Sequence, residues 1–155
     1  MTDSALQNLK NEEPMRIDAV LVAGTPVVWE YNLQLISDFV ISKDGRPGSV
    51  REPGTPQAVP LYLSATDLHV EDEFPLPRFQ LGSFLKALEV GVREGFGLDV
   101  EYTNYGKAGN VVYERFEQRF RETDAAVTDF WMIGDHPEVD VQGAQNAGWN
   151  SILVR

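Results

Sequence analysis

The stretch Trp131–Arg155, WMIGDHPEVDVQGAQNAGWNSILVR, sets the architecture expected of the whole chain. It opens within an apolar run, Phe130–Ile133, short enough for a buried strand. Gly134 lets the chain turn and leaves Asp135 projecting from the strand tip. Pro137 suits a first helical position, and Glu138 adds acid to that first turn. Val141, Ala144 and Ala147 give the following helix one small apolar face. Gly148 ends that helix, and Ser151–Val154 reads as a second buried strand. The unit is βαβ, so its strands are expected to be parallel and covered by helices. Ligands of open α/β sheets bind beyond the carboxyl ends of the strands, and Asp135 and Asp140 fall at that edge.

Those two aspartates stand five residues apart, one at a strand tip and one in the first helical turn. Two carboxylates so placed can point into one small space. Hard oxygen donors suit Mg²⁺, which keeps several waters and takes one or two carboxylates plus a substrate phosphate. The same pattern also fits a turn aspartate followed by a solvated helix-start acid, since aspartate is common in turns.

Upstream, the pattern repeats. Ile17–Ala23 is an apolar, β-branched run ended by Gly24-Thr25-Pro26, a further buried strand. Trp29, Leu33, Ile36 and Val40 recur at helical spacing, predicting a helix from about Val28 to Ser42 whose stripe is core packing. Lys43–Pro60 is punctuated by proline and glycine and is expected to be the main loop. Leu61–Leu63 is a strand running to Ser64-Ala65-Thr66-Asp67, a second candidate site edge. Leu68–Pro77 reads as a loop with an acidic tip and a surface histidine, His69. A helix is expected over Phe79–Arg93, a strand over Leu98–Tyr105, and a helix over Ala108–Arg121 with Val112, Phe116 and Phe120 as its apolar stripe. Alternating strands and helices predict a parallel α/β architecture.

The chain has 155 residues, 43% of them hydrophobic, enough for one ordinary domain. Its formal net charge of −11 argues against nucleic-acid backbones and anionic membrane surfaces as partners. There are no cysteines, which excludes disulfides, zinc–cysteine sites and a cysteine nucleophile. No apolar run approaches the roughly 18 residues of a transmembrane helix. Met1–Pro14 is polar and acidic and carries no signal or transit pattern; judged from it alone, the compartment is cytoplasmic.

GDHPEVDVQGAQNAGW, residues 134–149, resembles the last motif of the haloacid dehalogenase (HAD) superfamily of hydrolases. Tyr105-Gly106-Lys107 resembles that family's lysine motif. Leu61–Asp67 (LYLSATD) followed by Leu76-Pro77-Arg78 resembles subfamily IIA, in its eukaryotic branch related to cat eye syndrome critical region protein. The resemblance covers roughly Ile17 to Arg155. It implies a Mg²⁺-dependent phosphatase of phosphorylated small molecules, mitochondrial in location. An aspartate would attack phosphorus, and water would hydrolyse the aspartyl-phosphate. By the same resemblance Lys107 is the catalytic lysine and Asp135 a metal ligand. Asp140 is the second acid of the metal site, orienting a metal-bound water or Lys107. The implied fold is a Rossmann-like core. Residues 1–16 would be a flexible leader, 17–75 part of an α/β cap, and 76–155 the C-terminal half of the core.

Two departures qualify this. The family's Asn-Pro pair before Asp67 is replaced by Ala65 and Thr66. The nucleophile motif, Asp-x-Asp at the end of an apolar strand, does not occur, for no two aspartates stand two residues apart. In family order the chain begins inside the cap, so a fragment or truncated product without turnover of its own is expected. Strands deprived of the central one would expose edges and apolar faces, favouring self-association or completion by another chain. The competing readings are a non-catalytic interaction module built on the same fold, and an unrelated α/β domain in which GDxxxxD is coincidence.

Overall fold

A computed structural model describes residues 15–107 and 109–155. The leader expected at 1–16 lies almost wholly outside these, as does the helix start expected at Ala108. The architecture is mixed α/β with parallel strands, as expected. Strands β1 (Val20–Val22), β2 (Leu61–Leu63) and β5 (Tyr102–Asn104) form one parallel sheet in the order β1-β2-β5. β6 (Trp131–Gly134) and β7 (Asn150–Leu153) form a separate parallel pair. β2 therefore pairs with β5 across the position 75/76 at which cap and core were expected to part.

The three-stranded sheet carries the core. Val22, Leu61 and Leu63 alternate with less buried neighbours, as period-two chains must. Helices α1 (Trp29–Val40) and α2 (Leu81–Phe96) close over that face with Ile36, Val40, Phe84, Leu85, Leu88 and Val92. The expected helix at 28–42 is present, two residues shorter at its C-terminal end and one at its start. The Trp29 ring meets Phe84 edge-on, with centroids 5.5 Å apart. The opposite sheet face stays open to solvent at Leu21, so the two-sided covering expected of parallel strands is not met among the described residues.

Four expectations need correction. The loop at Leu68–Pro77 is instead flanked by a small antiparallel pair, β3 (His69–Val70) with β4 (Arg78–Phe79). Phe79 pairs with His69 in this ladder, its ring 5.5 Å from the imidazole, and so stands outside the helix that starts at Leu81. Only Tyr102–Asn104 of the strand expected at Leu98–Tyr105 joins the sheet. Residues before it are held by side chains, Arg51 donating to the Asp99 carbonyl and Gln57 bonding both backbone groups of Glu101. In α3 (Asn110–Thr123) the buried residue is Tyr113, whereas Phe116 and Phe120 of the expected stripe are half exposed. Finally, β6 and β7 are parallel but not buried: Trp131 is 57% and Ile133 64% exposed, because among the described residues no further strand or helix covers these positions.

Candidate active site

Between β6 and β7 the chain makes one π-helical turn, Pro137–Val141, and runs on into the short helix α4, Gln142–Asn146. Pro137 occupies the first helical position, where its missing N–H costs nothing. Of the expected small apolar face, Ala144 is buried and Val141 and Ala147 are half-buried, and Gly148 stops the helix with φ +75°. The turn carries Asp140 inward, to 1% exposure, while Asp135 stays exposed at the tip of β6.

Asp140 is thus no solvated helix-start acid. Its Oδ1 accepts a hydrogen bond from Lys107 Nζ at 3.0 Å, and its Oδ2 accepts one from the His136 backbone N–H at 3.1 Å. The pair is asymmetric: the aspartate side chain is 2% exposed and the lysine side chain 62%. Burial alone would raise the carboxyl's pKa. The Lys107 ammonium and the His136 N–H outweigh it and hold Asp140 below its ordinary range. Lys107 is raised, first by its bond to Asp140, and Asp135 adds to it by its charge.

Glycines make these contacts possible. Gly134 has no left-handed φ, so the turn is not what requires it. A Cβ there would overlap the Asp140 carboxylate. A Cβ at Gly106 would come within 2.8 Å of Ala65 Cα, so this glycine lets the lysine turn lie against the tip of β2. Asn104 ties the same parts together, donating to Thr66 Oγ1 at 3.0 Å and accepting from the Gly106 N–H at 2.8 Å.

The tips of β2 and β6 face across a cleft of about 730 Å³. Asp135, His136 and Pro137 form one wall, and Ala65, Asp67, Gln80 and Leu81 belong to the other. This is the carboxyl edge of both strands, where α/β sheets bind ligands. Both histidines of the chain, His69 and His136, line it. Of the three residues singled out from sequence, Lys107 and Asp140 are in contact; Asp135 lines the cleft and is near enough for its charge to act on Lys107, which itself lines a neighbouring apolar groove with Tyr113 and Phe116. His136, Gly143 and Tyr113 were not singled out. Only the last has a sequence signal, an aromatic residue one place from the predicted helix stripe.

No three His, Cys, Asp or Glu side chains among the described residues gather into a metal cage. Asp140 has both oxygens hydrogen-bonded within the chain, whereas Asp135, Asp67 and Glu71 present carboxylates along the cleft. One carboxylate fits Mg²⁺ shared with water and a phosphate, not a closed protein cage.

Residues 104–155, which contain all three candidate residues, match the HAD-hydrolase-like family model. A cardiolipin synthase (CMP-forming)/mitochondrial hydrolase fusion protein of Schizosaccharomyces pombe is 34% identical over 145 residues, 90% of this chain and 24% of that protein. A mitochondrial hydrolase of Saccharomyces cerevisiae is 29% identical over 165 residues, covering 90% of this chain and 47% of its own. The chain thus spans about a quarter and about half the length of these two relatives. A haloacid dehalogenase-like hydrolase structure from Brucella suis 1330 has a TM-score of 0.44 at 20% identity, over 62% of this chain and 35% of that one.

Proposed function

We propose that this chain, which is similar to part of HAD-like hydrolases, contributes the lysine-and-metal side of a Mg²⁺-dependent phosphatase site of subfamily IIA type. The carrying observation is the Lys107–Asp140 pair at 3.0 Å, which joins two motifs 33 residues apart beside Asp135. Asp140 orients the lysine from a buried position. The ammonium reaches solvent, where it would meet a phosphate. Asp135 would hold Mg²⁺, whose charge would offset that of the phosphate oxygens. With no Asp-x-Asp pair in these 155 residues, we propose that they bind metal and phosphate without turning over phosphate esters by themselves. That both relatives are mitochondrial hydrolases supports a mitochondrial location.

The test is a thermal-shift titration with MgCl₂. Mg²⁺ at 100 times its Kd should stabilise the wild-type chain by about 2.7 kcal/mol. Asp135→Asn should show no Mg²⁺-dependent shift. A variant that responds like the wild type would remove Asp135 from the metal site.

A second reading, a module that joins another polypeptide strand, is favoured by the exposed side chains of β6. An isolated two-stranded sheet is marginal in water, and Trp131 and Ile133 offer apolar surface on it. Ile133→Lys is expected to reduce concentration-dependent association measured by sedimentation velocity. A wild-type chain that stays monomeric at every concentration would sink this reading.

A further inference from the structure

Two buried side-chain polar atoms among the described residues have no hydrogen-bond partner, Arg51 Nε and the Tyr113 hydroxyl. Arg51 is otherwise engaged, since its terminal nitrogens donate to the Thr55 and Asp99 carbonyls. Tyr113 has no other side-chain polar atom, and an orphaned buried hydroxyl calls for an explanation. Its position suggests one. A Cβ added at Gly143 would lie 2.7 Å from the hydroxyl and 2.6 Å from the Lys107 carbonyl oxygen. The phenol and the lysine's backbone therefore converge on one glycine of α4, three residues beyond Asp140. The ring is fixed there: Trp149 meets it edge-on at 4.9 Å, and Trp149 Nε1 is itself anchored on Glu117 at 2.9 Å. Burial, and then the charge of Asp140, raise the phenol's pKa, so it remains a proton donor at neutral pH.

Asp140 needs such a donor if Lys107 is to work. Among the described residues the lysine is the only cation whose side chain bonds this carboxylate, and Asp140 is almost wholly buried. An ammonium drawn off toward phosphate would leave a buried charge short of one hydrogen bond, a costly state in a low-dielectric site. We infer that Tyr113 is a positioning residue whose hydroxyl serves as the reserve donor to Asp140 when Lys107 leaves the pair. That it does so for phosphate rests on the function proposed above; that it does so at all does not.

A double-mutant cycle separates the two. In the otherwise wild-type chain Tyr113→Phe removes an unpartnered hydroxyl, and the melting temperature should move by no more than about 1 °C. In a Lys107→Ala background, where the hydroxyl has become the donor, the same change should lower it by about 5 °C. Lys107→Gln is the second background if the alanine variant does not fold. Equal effects of Tyr113→Phe in the wild type and in the lysine variant overturn the inference, because a merely structural tyrosine is additive. With Mg²⁺ and inorganic phosphate as the probe, Tyr113→Phe should weaken phosphate binding about tenfold. Phosphate binding that survives Lys107→Ala overturns the phosphate reading alone, and the cycle still decides the role of Tyr113.

Discussion

Asp140→Ala is expected to lower the stability of the chain by about 3 kcal/mol at neutral pH, because a buried hub loses its bonds while its cation returns to water. The side chain accepts from Lys107 and from the His136 backbone N–H. After truncation that N–H faces a small cavity without its acceptor. The lysine suffers less, since it is already more than half exposed and can hydrate. Against a total stability of about 5–15 kcal/mol for an ordinary domain, the loss is large.

The pH dependence gives the signature. Asp140 has its pKa depressed below the ordinary 3.8, so its contribution is present above that value and disappears as pH falls through the lower folded value. Lys107 is raised above 10.5, so its contribution is present below that value and disappears as pH rises through the higher folded value. The stability gap between wild type and Asp140→Ala should therefore be flat near neutrality. It should narrow at the acid end below about pH 4 and at the alkaline end above about pH 10.5. Urea unfolding of both proteins across that range is the measurement. A gap unchanged into strong acid would mean that the carboxylate's charge is not what Lys107 and His136 recognise.

Local patterns that depend on one segment were legible in the chain. The stripe through Trp29, Ile36 and Val40 became α1, the proline-rich stretch at 43–60 stayed irregular, and Gly148 ended α4. Features that depend on what covers a segment were not. Phe130–Ile133 has the apolar run of a buried strand, yet burial comes from neighbouring layers, and among the described residues β6 has one strand beside it. Phe79 fits a helical period, but its pairing with His69 of another element sets its place. The site shows the same division. The aspartates at 135 and 140 could be singled out by their spacing and the lysine by resemblance. Their division of labour could not, because a π-helical turn, which no spacing rule anticipates, aims Asp140 at Lys107 and leaves Asp135 on the cleft.

Gly134→Ala should be as damaging as removing Asp140, although it adds only one methyl group. The glycine's backbone is held on both sides of the residue. Gly134 pairs with Leu153 of β7, and its carbonyl accepts from the Val154 N–H at 2.9 Å, so the strand cannot retreat. Asp140 cannot retreat either, because Lys107 and His136 hold its two oxygens. The new Cβ would fall on the carboxylate itself, with the Asp140 side chain too close along its length. Overpacking a fixed site costs about 1–3 kcal/mol, and here it must also break or displace a buried ion pair. The expected result is a fall in melting temperature of about 10 °C together with loss of any Mg²⁺-dependent shift. Asp140→Gly supplies the control, since it removes the three atoms nearest to the new methyl group. In that background Gly134→Ala should cost little. A cost that persists there would trace the role of Gly134 to its backbone and not to the carboxylate packed against it.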